Sequence, residues 1–362
     1  MKIALVGRFG EGEILTGPER AARELYGELK NKNHHIVFLE YFFNGYQGSS
    51  LFKKLFGKKY SYNNSIIKLG IIPLVLFLAK NKFDIIHIVN SQRFFLFPLL
   101  LRFLFPGKIL TTFHGFMKYE LPEKNYWLKR YFADKWIEKL LAKKSRLLIF
   151  PSSLLLNTFK QNYKVSDNKC IIIPNGISKI FREQERVFPE INNSMKIIFY
   201  NGFNNILNRG LDNLLQMMNK LECEVDLYVI GNKIEIKSQK KIKVHFVDLM
   251  SHVELINFLI DKHFILKSTT YDTFPIMVAE CMALGLIPII SENVGIKDVI
   301  EHGKNGFIYK ISNEDDLTEL LNQISNRKFN LVMISDNAKK TTMELSWGKI
   351  TGQYISAYKS VL

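Results

Sequence analysis

The sequence predicts an α/β protein of two facing Rossmann-like domains, each a parallel sheet covered by helices, with a cleft between them. Three observations carry this expectation. Short apolar stretches alternate with helical patterns along the whole chain, the order expected of a parallel sheet whose crossovers cover both faces. The alternation runs twice, on either side of one polar, irregular segment, "ISKIFREQERVFPEINNS" (177–194). A chain of 362 residues with 47% hydrophobic content suffices for two or three ordinary domains with large cores.

The elements follow in order. "KIALVG" (2–7) is a strand running into a glycine-rich turn, and "GPERAARELYGELKNK" (17–32) is the helical pattern after it. "HHIVFLEYF" (34–42), "FDIIHIV" (83–89), "KILTTF" (108–113), "RLLIFPSS" (146–153) and "KCIIIPN" (169–175) continue the first sheet. Past the polar segment, "MKIIFYNGF" (195–203), "EVDLYVIG" (224–231), "KVHFVD" (243–248), "HFILKST" (263–269) and "LIPIISE" (286–292) form the second. The first domain is expected over residues 1–180 and the second over 190–344, with the polar segment as linker. The final helix, in "LSWGKITGQYISAYKSVL" (345–362), carries aromatics on one side and is expected to dock back on the first domain. Ligands of such sheets bind at the strand C-terminal ends.

The stretch "TTYDTFPIMVAECMALGLIPII" (269–290) holds two acids, Asp272 and Glu280, in otherwise small or apolar surroundings. Pro275 suits a first helical turn, where a missing N–H costs nothing. The run Ile276 to Leu284 is too apolar for a surface helix and is read as buried. Gly285 suits the left-handed position past the helix end. Asp272 then precedes the helix and Glu280 points inward from its second turn. A buried carboxylate needs a partner: a structural salt bridge or cap is one reading, a ligand offering hydroxyls the other. The N–H groups of Ile276 and Met277 at the helix start would face a phosphate.

Charge is uneven. Net charge is +16, and residues 51–150 hold 19 basic against 5 acidic groups, a net of +14. Trp, Phe and Leu are interleaved with the lysines, as in "SLFKKLFGKKY" (50–60), where a nucleic-acid face would favour Gly and Ser. The pattern favours an anionic membrane surface over nucleic acid, with a merely solvated basic face as the plain alternative. Cys170, Cys223 and Cys281 are isolated, without metal spacing, which fits a reducing compartment. The N-terminus reads as a strand, not a signal peptide, and the longest apolar runs, 71–79 and 94–101, fall short of a bilayer span. A cytoplasmic protein, peripheral on the inner face of the membrane, is expected.

The architecture and the order of motifs resemble the retaining, GT-B-fold glycosyltransferases of family 4 (glycosyltransferase group 1). The resemblance spans the chain, with its specific motifs concentrated in the second half. An acid, seven residues, a glutamate, an Ala/Met-rich helix, Gly and a "PVI"-like strand are matched by Asp272, "TFPIMVA", Glu280 and "CMALGLIPII". "ENVGIKDVIEHGKNGFIY" (292–309), "IIIPNGI" (171–177), "LTGPERAARELYGEL" (15–29) and "TTFHGF" (111–116) are similar to further family segments.

The resemblance implies transfer of a hexosyl group from a nucleotide-diphosphate sugar, a UDP-sugar favoured over a GDP-sugar, with no cofactor and no metal. It implies that Asp272 binds donor-sugar hydroxyls, Glu280 the ribose, and the backbone of Ile276 and Met277 the diphosphate. Phe274, Gly202 and Asn175 would line the donor, Gly17 would let the backbone approach its phosphate, and His114 would contact its sugar. His114, Arg209 and Asp272 are the implied catalytic set. The family's Gly-Arg then Lys-Gly clamp is altered here: Gly202 is followed by Phe203 in the Arg position, and Arg209–Gly210 stand in the Lys-Gly positions, with Asn204 and Asn205 between. A glycan or lipid-linked acceptor, as in bacterial surface polysaccharide synthesis, fits the basic first domain. Phe203 also motivates a second class, a non-catalytic sugar-nucleotide-binding partner subunit. A dinucleotide oxidoreductase is disfavoured, because "GRFGEG" (7–12) lacks the GxGxxG spacing.

Overall fold

The structure is a computed structural model that describes residues 1–10, 15–41, 56–61, 66–90, 108–116, 128–202, 210–218, 220–231, 233, 235–236, 240–313 and 315–362. It is α/β with parallel sheets, as expected. The chain divides into two compact units, Met1–Asn175 with Trp347–Leu362, and Gly176–Ser346.

In the first unit the described strands are β1 (Lys2–Gly7), β2 (His35–Tyr41), β3 (Lys58–Ser61), β4 (Ile66–Leu69), β5 (Ile85–Ile88), β6 (Lys108–Thr112), β7 (Leu147–Phe150) and β8 (Cys170–Ile172). Their order is β3-β4-β2-β1-β5-β6-β7-β8, parallel except for β3, which runs antiparallel to β4. Strands β1, β5 and β7 are apolar almost throughout because helices cover both faces. Helix α1 (Gly17–Asn31) turns Ala21, Ala22, Leu25, Tyr26 and Leu29 inward at helical spacing. Helix α2 (Ile71–Asn81) is apolar all round; it buries Leu74 and Leu78 and leaves Ile72 and Leu76 exposed. Helices α3 (Leu128–Lys144) and α4 (Ser153–Asn162) follow, the latter capped by the Ser152 hydroxyl, which accepts from Leu155 N at 3.3 Å.

The second unit has β9 (Met195–Gly202), β10 (Val225–Gly231), β11 (Ile242–Val247), β12 (Phe264–Lys267), β13 (Ile287–Ser291) and β14 (Phe307–Tyr309), in the order β11-β10-β9-β12-β13-β14. All these pairs are parallel. Helices α5 (Lys179–Arg182), α6 (Leu211–Met217), α7 (His252–Leu259), α8 (Ile276–Ala283), α9 (Asp316–Ser325) and α10 (Leu331–Thr342) accompany it. The last helix, α11 (Trp347–Val361), belongs to the first unit and packs Trp347, Ile350, Tyr354 and Tyr358 with Ile3, Leu5 and Leu25.

Three described strands go beyond the sequence reading. β3 lies in the basic stretch and β4 follows it, while β14 is only three residues long. Lys58 and Lys59 on β3 are exposed at a sheet edge, where charge discourages further strand pairing. The segment read as a linker, 177–194, instead packs on the second unit. Phe181 is buried in its core, and Arg186 donates to the carbonyls of Ile260 at 2.8 Å, Leu284 at 3.2 Å and Lys262. Among the described residues no helix is long and apolar enough to cross a membrane.

His87, fully buried on β5, joins the first sheet to α11. Its Nδ1 lies 2.8 Å from the Tyr358 hydroxyl and its Nε2 2.7 Å from Thr112 Oγ1. Burial, then the nearby His114, pushes its pKa down to about 3. The proton is therefore taken up only on unfolding, so this stability is complete above the unfolded value of 6.5 and is lost as pH falls toward 3. Between pH 7 and pH 5 the first unit is expected to lose about 2 kcal/mol through His87. Urea titrations of the parent and His87→Gln at the two pH values check this: the parent should lose more than the variant, and equal losses would contradict the assignment.

Candidate active site

The strand order reverses once in each sheet. In the second unit the chain builds outward from β9 through β10 to β11, then returns to the other side of β9 as β12. Crevices at such switch points, at the carboxyl ends of the strands, are where doubly wound sheets bind ligands. Gly202 ends β9 and Lys267 ends β12, so the two flank this point.

The chain leaves β12 through residues 268–275 and enters α8. Pro275 is the residue capping α8, one position earlier than expected, and it supplies no side-chain cap. The first N–H groups of a helix have no intrahelical partner. Val278 N reaches Pro275 O at 3.0 Å, and no hydrogen bond of the described residues takes up the N–H groups of Ile276 and Met277. Beyond α8, Gly285 (φ +80°) turns the chain back into β13, with Ser335 donating to its carbonyl at 2.6 Å. Glu280 is 1% exposed and is the only charged residue of the helix. Burial, and then the Glu280 charge, push the Cys281 thiol well up. Phe274 and Met277 pack in the same cluster as Ile265, Val278 and Met282.

Asp272 is held from two sides. Its N–H donates to Asn293 O at 3.3 Å and its carbonyl accepts from Gly295 N at 2.8 Å. Its Oδ2 lies 3.0 Å from the ammonium of Lys267, which is buried. Sequence reasoning left open a structural salt bridge for the buried carboxylate, and the structure places one at Asp272. It missed Lys267 altogether; a lysine closing an otherwise apolar strand, "FILK", was the available signal.

In the first unit the switch point lies between β1 and β5. Asn90, just past β5, accepts from Arg8 N at 2.7 Å and donates to the carbonyls of Arg8 at 3.1 Å and Pro18 at 3.4 Å. A Cβ at Gly7 would stand 2.4 Å from its side-chain oxygen, so the two loops meet closely only because Gly7 has none. Gly17 opens α1 behind Thr16, whose N–H and hydroxyl both donate to Glu19 at 2.9 and 2.8 Å. Glu19 in turn pairs with Arg8 at 2.9 Å. Asn90 is the second residue the sequence reading missed. His114, just past β6, donates Nε2–H to Val89 O at 2.9 Å. Desolvation pushes its pKa down to about 4 against that hydrogen bond, so the ring is neutral at pH 7.

The predicted residues thus fall into two groups. Gly202, Asp272, Phe274, Ile276, Met277 and Glu280 belong to the second unit; Gly17, His114 and the buried Asn175 belong to the first. Arg209, with Phe203, Asn204 and Asn205, lies outside the described residues. Among the described residues no group of three His, Cys, Asp or Glu side chains is placed to hold a metal.

Two family models match the chain: "Glycosyltransferase Family 4" over residues 15–179 and "Glycosyl transferases group 1" over residues 181–341. A Klebsiella pneumoniae protein described as an uncharacterised 41.2 kDa protein in the cps region is 22% identical over 85% of this chain and 87% of its own length. The lipopolysaccharide outer core galactosyltransferase WaaB, in its apo form, superposes with a TM-score of 0.75 at 15% identity, covering 100% of both chains. HepE of Anabaena, solved in complex with UDP, gives a TM-score of 0.70 at 13% identity, covering 99% of this chain and 100% of that one. The last two similarities establish the fold.

The position of α8 depends on the turn at Gly285. A Cβ there would stand 2.4 Å from Lys339 Cε and 2.8 Å from Ser335 Oγ, on a backbone that L-residues avoid. Gly285→Ala is expected to destabilise the second unit by about 1–3 kcal/mol, read as a lower thermal midpoint. An unchanged midpoint would show that the turn relaxes freely.

Proposed function

Since the chain belongs to the glycosyltransferases, we propose that it is a retaining, metal-independent hexosyltransferase of family 4 that uses a nucleotide-diphosphate sugar. The observation that carries this reading is Glu280. It is a buried carboxylate in an otherwise uncharged helix that starts, without a side-chain cap, at a sheet switch point. A ribose offers two hydroxyls to such a carboxylate, and a diphosphate offers oxygens to the N–H groups of Ile276 and Met277.

In this mechanism Glu280 takes the ribose, and Arg209 with the α8 N–H groups takes the diphosphate. Asp272 and His114 hold the sugar. The bond from the anomeric carbon to the β-phosphate oxygen breaks with its electron pair moving to that oxygen. The acceptor hydroxyl attacks on the same face, and its proton passes to the departing phosphate. Charge growing on the phosphate is met by fixed dipoles and cations, interactions that strengthen as the bond breaks. The UDP bound by HepE supports a UDP-sugar as first choice of donor.

A lipid-linked or polysaccharide acceptor at the inner membrane face is supported by the cps region of the Klebsiella relative, by the activity in WaaB's name, and by the first unit itself. Exposed Lys58 and Lys59 on β3 share that unit with exposed Phe56, Ile72, Leu76 and Trp136. Leu51, Phe52, Lys53, Lys54, Leu55 and Trp127 lie outside the described residues. Phe203 in place of the clamp arginine favours, as second reading, a donor-binding partner subunit without turnover. Donor hydrolysis or transfer by the isolated chain would exclude it.

Glu280→Gln is expected to weaken binding of the donor nucleotide about tenfold or more, since a hydrogen bond to a charged group contributes roughly 1.5–3 kcal/mol. Calorimetry against UDP-, GDP-, ADP- and TDP-sugars, with circular dichroism as fold control, tests this; unchanged affinity would remove the ribose assignment. The full chain is also expected to sediment with anionic vesicles at 0.1 M salt and to be released at 1 M, as the Debye length falls from about 10 Å to about 3 Å. Equal binding to neutral vesicles, or none to either, would return the basic surface to a solvating role.

A further inference from the structure

We propose that Lys267 supplies a cation of the donor diphosphate site. This rests on the nucleotide-sugar reading above and assigns one more residue to it.

Lys267 ends β12, and Gly202, the residue before Phe203, ends β9; the two strands are hydrogen-bonded neighbours at the point where the sheet order reverses. The segment 203–209 re-enters the described chain at Gly210. A Cβ on Gly210 would stand 2.4 Å from the carbonyl oxygen of Ser268, the residue after Lys267. The described residues on either side, Gly202 and Gly210, thus lie at the end of the strand beside β12 and against the residue after Lys267.

The ammonium is placed where a lone cation is costly. Lys267 is 5% exposed. Along β12, Phe264 and Leu266 face one core cluster and Ile265 faces the other, the one that contains α8. Alternation puts Lys267 on the α8 side. An ammonium has three N–H donors, and among the described residues this one meets a single acceptor, Asp272 Oδ2 at 3.0 Å. The start of α8, with two further N–H groups not taken up, adds positive potential on the same side. One carboxylate balances a buried ammonium and a helix start together. A diphosphate oxygen would fill the remaining donor positions, while Asp272 stays within reach of the sugar. During transfer Lys267 Nζ would hold the phosphate oxygen that receives the bonding pair, while the acceptor's proton passes to the departing phosphate.

The test uses the full chain as wild type, Lys267→Met, Lys267→Arg and the double variant Lys267→Met/Asp272→Leu, which leaves no buried charge unpaired if the single variant fails to fold. Each is titrated with UDP, GDP, ADP and TDP, and with the nucleoside of whichever diphosphate wild type binds. Lys267→Met and the double variant should lose about ten- to a hundredfold in diphosphate affinity, with nucleoside affinity kept within about threefold. Lys267→Arg should retain most of the diphosphate affinity. Diphosphate binding by the charge-free variants within threefold of wild type would overturn the assignment, as would an equal loss for nucleoside and diphosphate. If folded wild type binds none of the four diphosphates, the nucleotide-sugar reading fails, and this assignment falls with it.

Discussion

A helix that begins without a cap at the edge of a parallel sheet leaves N–H groups pointing at whatever lies beyond. Some helix starts are satisfied by a side chain, as α4 is by Ser152 and α7 by the Ser251–Glu254 capping box. α8 has Pro275 at that position, with neither hydroxyl nor carboxylate to offer. The rest of the second unit fits around this start. The strand order brings the helix start to the switch point between β9 and β12, Gly285 returns the chain sharply into β13, and Glu280 is carried inward one turn later. An anion at this point would satisfy what the fold leaves open.

The ion pair of Lys267 and Asp272 has a buried ammonium, which among the described pairs of the second unit only Lys262–Asp261 shares. Lys179–Glu183 and Lys220–Asp315 are between exposed side chains and contribute little, because water competes for both partners. A buried pair gains little over an apolar pair of the same shape, yet losing one partner is costly. Such a pair is therefore a poor stabilising device and an effective positioning one. It fixes a carboxylate and an ammonium side by side where a charged ligand would need both. In the first unit Asn90 and the Arg8–Glu19 ion pair together tie the loop after β1 to the start of α1, and Gly7 lets Asn90 approach.

Much of this was legible in the sequence because it rests on periodicity and on residues with restricted backbones. The long apolar strands, the buried 276–283 helix with its inward carboxylate and the turn at Gly285 follow from local pattern. β14 did not: its three residues, "FIY", follow a polar turn, "HGKNG", without the longer apolar run that marked the equally short β8. The segment 177–194 looked like a linker because its composition is polar; Phe181 and the carbonyl-binding Arg186 anchor it to the second unit, and a single anchor every few residues leaves no periodic trace. Lys267 and Asn90 were missed for a related reason. Each lies at a strand end, where sequence shows an isolated polar residue and only the three-dimensional neighbours reveal its task. Asp272 was visible as an acid before a helix, but its partner five residues earlier was not.

The central claim is that the carboxylate of Glu280 reads the ribose of a nucleoside diphosphate held at the start of α8. The most direct measurement compares the affinity of the preferred diphosphate with that of its 2′,3′-dideoxy analogue, for the wild type and for Glu280→Ala. Loss of the hydroxyls should weaken the wild type by about ten- to a hundredfold and leave the variant almost unaffected, because the two deletions remove the same interaction. A wild type indifferent to the missing hydroxyls, or a variant that still discriminates between the two ligands, would contradict the account.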